Sequence, residues 1–297
     1  MIKHIVQTGI WGAILITFCT IHPVISQEVA PFLIPRTNSS ATLTQTIAST
    51  KIEINYHRPN KRGREIFGSL VPYGKIWRTG SDEATRVYFS TPVQLEGHLV
   101  DSGSYELFTI PGPTGWEIIL QTNNHQWGSY RYRDTNDVLR FTVAPSTSMA
   151  TVETFTISLD QIGPDHGVVN IAWDHVVVPV HLKIDLMTTV IPGLEKLLSA
   201  DGRRPYFQAA MFYFENDIDI DRAADLMALA LEQNPGHLGM LYRQALILKR
   251  KGDVEAAIAS AEQSLKAAQQ ADMELKAEYT RLNTRLLEEL RHPDAKH

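Results

Sequence analysis

The chain has 297 residues, enough for two domains with a sizeable core in each. With 43% hydrophobic and 21% charged residues it is globular material, neither disordered nor fibrous. The formal charge of −5, which becomes −6 without Lys3 and the rest of residues 1–26, excludes general attraction to nucleic acid or anionic membrane.

The first 26 residues read as a signal peptide. Lys3 and His4 make a weak basic start, Ile10–Ile21 is an apolar run, and Pro23 breaks it. Val24 and Ser26 then stand three and one residues before a cut at Gln27. A run of about a dozen apolar residues is short of the roughly twenty that span a bilayer, so no membrane span is expected after cleavage. The single cysteine, Cys19, lies inside this run, and Phe18 before it does not suit a lipoprotein signal. The mature chain is therefore expected to be exported, periplasmic or secreted, and free of thiols. That excludes disulfides, thiolate nucleophiles and cysteine-bound metals.

Residues 27–42, with Pro31, Pro35 and the cluster Thr37-Asn38-Ser39-Ser40, read as a linker or arm. From Leu43 the period becomes two. In Lys51–His57, Ile52, Ile54 and Tyr56 share one face and Lys51, Glu53, Asn55 and His57 the other, the pattern of a half-buried strand. After an irregular stretch, further strands are predicted over Thr85–Ser90, Pro92–Leu99, Tyr105–Ile110, Trp116–Gln121, Trp127–Tyr132, Val138–Val143, Val152–Leu159, Val168–Trp173 and His175–Leu186. Short strands closed by frequent turns argue for an all-β antiparallel sandwich or barrel domain over residues 43–187. Trp116 and Trp127 are expected in its core.

Near Thr188 the period becomes helical, giving an all-α domain over residues 188–297. Helices are predicted over Ile191–Ser199, Tyr206–Glu215, Asp221–Gln233, Leu238–Lys251, Val254–Gln270 and Met273–Arg291. Asp219 and Asp253, Ala223 and Ala257, Ala230 and Ser264, and Leu231 and Leu265 each stand 34 positions apart, the length of a tetratricopeptide unit. The tail reads as tetratricopeptide-like or as a generic bundle. Phe207, Phe212, Tyr213, Phe214 and Tyr242 either line a groove for a partner protein or bury against the β-domain.

The irregular stretch, Tyr56–Thr85, is the centre of the sequence. Compact domains leave so long a segment irregular chiefly where it forms a site or a structured cover. From Arg58 to Arg78 six cations (Arg58, Lys61, Arg62, Arg64, Lys75 and Arg78) face the lone acid Glu65, a local charge of +5. Guanidinium forks grip carboxylate, sulfate or phosphate, and the interleaved Tyr73 and Trp77 offer flat faces to a sugar or another ring. The candidate ligand-binding residues are Arg58, Arg62, Arg64, Tyr73, Trp77, Arg78, Asp82 and Glu83, for an anionic small molecule or glycan. In a structural alternative, Phe67, Leu70, Val71, Tyr73, Ile76 and Trp77 plug the end of the sandwich while the arginines pair with Glu65, Asp82 and Glu83 and hydrogen-bond loop carbonyls.

The motifs Tyr56-His57-Arg58-Pro59, Arg62-Gly63-Arg64-Glu65-Ile66-Phe67-Gly68, Leu70-Val71-Pro72-Tyr73-Gly74 and Ile76-Trp77-Arg78-Thr79-Gly80 carry a family resemblance. So do Glu83-Ala84-Thr85, Gly103–Leu107, Trp116–Ile119 and Trp127-Gly128. Over about Leu43 to Leu186 the chain resembles the uncharacterised exported bacterial family called domain of unknown function 2911. The resemblance implies a β-rich domain, often followed by helices, and supplies no activity. Asp82 stands where asparagine is expected, so a role needing a neutral amide there is not carried over.

Catalysis has thinner support. A hydrolase or isomerase using His57, Asp82 and Glu83 is a further alternative, but adjacent acids on an extended chain point to opposite faces. No nucleophile elbow, phosphate-binding loop, zinc-protease or dinucleotide motif is present. His175 and His181, six residues apart on one strand, stand roughly 20 Å apart, too far to share an ion. Neither a metal nor another cofactor is expected.

Overall fold

Period-two burial builds a pair of sheets. The structure, a computed structural model, describes residues 36–122 and 125–292, so the expected leader at residues 1–26, with Cys19, lies outside the described residues. The strands are β1 (Ser39–Ile47), β2 (Thr50–Arg58), β3 (Thr85–Phe89), β4 (Val93–Leu95), β5 (His98–Val100), β6 (Gly103–Ile110), β7 (Trp116–Thr122), β8 (Asp137–Val143), β9 (Ser146–Asp160) and β10 (His166–Lys183). One sheet runs β1-β2-β3-β6-β7-β8 and the other β5-β4-β10-β9, with neighbours antiparallel. Ile52, Ile54, Val87, Leu107, Ile118 and Leu120 of the first sheet meet Leu95, Ile157, Val169, Ile171, Val180 and Leu182 of the second in one core. This is the expected antiparallel sandwich, its interior closed by alternate residues of both layers.

Four stretches differ from the sequence expectation. The strand expected over Pro92–Leu99 is a hairpin of β4 and β5, because Glu96 and Gly97, at φ +46° and +80°, turn the chain. β1 begins at Ser39, because Ser39–Thr42 pair with Asn55–Arg58 although their side chains lack an apolar alternation. Val168–Trp173 and His175–Leu186 merge into β10, whose ladder to β9 shifts register on both sides of Asp174. Asp174 has φ +56°, so one bulged residue breaks the side-chain alternation without ending the strand. Trp127–Tyr132 is not a strand; Trp127 forms a single bridge with Glu83 before the chain turns.

The chain then becomes helical. A one-turn α1 (Leu186–Thr189), capped by Asp185, leads into α2 (Ile191–Ser199), α3 (Tyr206–Glu215), α4 (Ile220–Gln233), α5 (Leu238–Lys251), α6 (Val254–Ala268) and α7 (Met273–Arg291). The carboxylates of Asp219, Asp253 and Asp272 cap α4, α6 and α7 by accepting from the backbone N–H groups of Arg222, Ala256 and Leu275. The repeated small residues are buried: Ala223 and Ala257 in one pair, Ala230 and Ser264 in the other. Tyr213 is buried in the helices, with Phe207 and Phe214 packed beside it. Phe212 packs against the sandwich core and Ile218 against both cores, docking the helices on the β-layers.

Candidate functional site

Residues 59–84 lie across one end of the sandwich, tied to it by backbone hydrogen bonds. At the start, Lys61 N–H donates to Glu153 and Phe155 N–H to Pro59, which fixes the stretch to β9. In the middle, Trp77 and Thr109 exchange N–H···O bonds of 2.8 and 2.9 Å, fixing it to β6. At its close, Ser81 N–H donates to His57 and Thr85 N–H to Arg78. Gly80 makes this return possible. Its φ is +149°, and a Cβ there would stand 2.9 Å from the His57 carbonyl oxygen.

The apolar residues of the stretch close the core. Ile66, Phe67, Val71 and Trp77 are buried, whereas Leu70 and Tyr73 remain exposed. Phe67, Trp77, Trp116, Phe155 and Trp173 form a cluster, with Trp77 nearly parallel to Trp173 at 6.1 Å between ring centroids. The Trp77 indole N–H donates to Gly80 and that of Trp173 to Glu153, so neither buried nitrogen lacks a partner.

The arginines divide. Arg58 donates through Nε to the Phe155 carbonyl at 3.0 Å and through Nη2 to Thr156 at 2.7 Å, fastening β2 to β9. Arg64 donates to the carbonyls of Lys61 and Asn60 at 2.9 and 2.5 Å, bracing the turn it sits in. Arg62 is exposed with φ +51°, its N–H held by Glu153. Lys61 pairs with Asp174, the bulge residue of β10.

Arg64, Lys75 and Arg78 line a cavity of about 440 Å³ over Trp77 and Trp173, with Asn38, Ser81 and Ser129 at its wall. Among the described residues no carboxylate lines it. Arg58, Arg62, Tyr73, Asp82 and Glu83 also lie outside that lining. Arg78 is half-buried, and its Nε is fully enclosed without a hydrogen-bond partner. Burial holds its guanidinium below the ordinary arginine value, and Asp82 and Tyr130 offset only part of this.

Asp82, at φ +54°, accepts from Asn38 Nδ2 and Ser81 Oγ, both at 3.1 Å. Burial pushes its carboxyl up, but those two donors, with His57 and Arg78 nearby, hold it below the usual value. His57 Nε2 stands 3.3 Å from Glu83 Oε2. These three groups therefore gather beside the cavity wall. Among the described residues no group of three His, Cys, Asp or Glu side chains is placed to hold a metal ion.

The sequence reading missed the loop that completes the wall. Ala84 N–H donates to Gln126 and Gly128 N–H to Asp82, which brings Ser129 to the cavity. Trp127, expected in the core, is 58% exposed and lies nearly parallel to Tyr130, itself 82% exposed. Gly128 is the reason: with φ +74° it turns the chain, and a Cβ there would meet the Tyr130 ring at 2.6 Å. That glycine between two aromatics was the legible signal.

The same loop covers Glu106, which is fully buried on the outer face of the six-stranded sheet. The Glu106 oxygens accept from Gln126 N at 2.6 Å and Gln126 Nε2 at 2.7 Å. Gln121 donates to Asp137 at 2.8 Å, and Asp137 also binds Tyr132 and Arg140. Burial, then the bond to Asp137, pushes the Tyr132 phenol up to about 12. The signal here was Phe108 and Ile110 on the same face as Glu106, which marks a β6 covered on both sides.

The fold and cavity together define a two-sheet antiparallel protein with a cation-lined hollow at one end and helices appended to its last strand. Residues 38–182 match the model of a family described as a protein of unknown function (DUF2911), and that segment of the chain belongs to the family. No curated protein matches the chain, and no solved structure does. No helix among the described residues is long and apolar enough to cross a membrane.

Proposed function

We propose that this protein is an exported, non-catalytic binding module for an anionic small molecule or glycan, held in the cavity beneath Arg78. The observation that carries the reading is a hollow lined by Arg64, Lys75 and Arg78 and, among the described residues, by no acid. An anion entering the hollow meets three converging cations, Arg64, Lys75 and Arg78. The volume of about 440 Å³ falls within the range of small-molecule pockets. His57, Asp82 and Glu83 lie outside the lining, which favours binding over acid–base chemistry on a ligand there.

Calorimetric titration with phosphate, sulfate, galacturonate and peptidoglycan fragments tests this. At least one anion binds the unaltered protein and is lost in Arg78→Met; no binding by any of them counts against the reading. Export is tested by fractionating cells that express the full chain, with a mature N-terminus expected at Gln27.

A second reading is a scaffold that docks a partner protein through a tetratricopeptide-like array. It is favoured by a hollow of about 410 Å³ among α3, α4 and α5, lined by Arg203, Arg204, Tyr206, Phe207, His237 and Met240. Loss of a co-purifying protein in Phe207→Ala supports that reading; an unchanged set of partners opposes it.

A further inference from the structure

The cavity does not end at its basic wall. Ser129 belongs to that wall, and the residues on either side of it lead to Trp127 and Tyr130, two exposed rings 6.2 Å apart and inclined by 14°. Exposed aromatics scattered singly need no explanation, but these are a pair held in place. The Trp127 backbone bridges Glu83, Gly128 N–H is bound by Asp82 at 2.9 Å, and Tyr130 lies over the Gly128 backbone. Leaving two large rings in water forgoes the burial that drives folding, and the glycine and bridge keep them there.

We propose that Trp127 and Tyr130 form a second subsite, continuous with the cavity, and that the ligand is an acidic oligosaccharide. Its charged unit sits against Arg64, Lys75 and Arg78, and a neighbouring ring lays its C–H face on the aromatic pair. The inference rests on the binding role of the cavity. The two parts make different demands: the hollow takes negative charge, and the platform takes a flat, weakly polar face. A polymer of charged sugars offers both in repeat. Single-stranded nucleic acid also combines flat rings with charge, but the cations here converge on one hollow instead of tracking along a strand, and the whole chain carries −5.

Calorimetry on the full-length protein separates these statements. The probes are galacturonate, its tetramer, a sulfated disaccharide and tetrasaccharide, a neutral cello-tetraose and an oligothymidylate. A uronate or sulfated tetramer is expected to bind about tenfold more tightly than the corresponding short form. Trp127→Ala is expected to abolish that gain while leaving the short form unchanged, with a smaller effect in Tyr130→Ala. Arg78→Met weakens both forms.

Equal affinities for short and long forms, or a gain that survives Trp127→Ala, overturn the second subsite and leave the cavity reading intact. Failure of every anion to bind overturns both. Tighter binding of oligothymidylate or cello-tetraose than of either acidic tetramer overturns the assignment of ligand class. Both rings are exposed, so truncating them leaves the core unaltered.

Discussion

Glu106 lies fully buried beneath the loop at 126–130 and Arg78 half-buried in the hollow that Ser129 of the same loop helps to line, yet they meet different surroundings. Gln126 aligns two donors on the Glu106 carboxylate, and the network continues through Gln121 to Asp137, Tyr132 and Arg140. Arg78 lines the hollow with Arg64 and Lys75, and its Nε has no hydrogen-bond partner. A buried charge matched within the chain holds structure together, whereas one left unmatched retains capacity for something from outside. The same contrast separates Arg58, bound to Phe155 and Thr156, from Arg78.

Removing the match from Glu106 sharpens the contrast most. Gln126→Leu deletes a donor to a buried carboxylate and should lower unfolding free energy by about 3 kcal/mol, read by urea denaturation. Gly80→Ala forces a side chain against the His57 carbonyl and should cost about 2 kcal/mol in the same measurement, with loss of anion binding as the cavity wall shifts. Arg78→Met is expected to leave stability within about 1 kcal/mol of the parent, or raise it, because an unmatched group is removed. A loss as large as that of Gln126→Leu would erase the distinction between the two regions.

Titration gives the smaller effects. Tyr132 carries a folded-state value raised from 10.0 to about 12, so its contribution is present below pH 10 and disappears as pH climbs through about 12. Alkaline unfolding curves of Tyr132→Phe should lack that component. Asp82 is shifted the other way, below 3.8, so its contribution is present above that value and vanishes as pH falls through the lower folded one. Acid denaturation of Asn38→Ala should show a weakened dependence there, since Asn38 donates to that carboxylate.

Much of the architecture was legible because burial follows period. Ile52, Ile54 and Tyr56 announce β2, and α2, α3, α5 and α7 run between the residues where helical spacing starts and stops. What the pattern hid were single residues that disturb it. Asp174 bulges without ending β10, and Gly128 turns Trp127 outward.

The concentration of charge over Arg58–Arg78 was equally plain, but its partition was not. Arg58 is satisfied by Phe155 and Thr156, about a hundred positions away, on a strand whose placement local spacing does not reveal. The structural alternative expected ion pairs with Glu65, Asp82 and Glu83 together with hydrogen bonds to loop carbonyls; for Arg58 and Arg64 the second part is found, in bonds to carbonyls and a hydroxyl.

Gly80 has one more implication, for how such a protein diversifies. A position that takes a side chain only at a cost in stability is a poor place for change, and the rest of the rim is a better one. Lys75 and Ser129 sit on surface loops at that rim and anchor no strand. Exchanging these two alone offers a short route to altered selectivity on an unaltered frame.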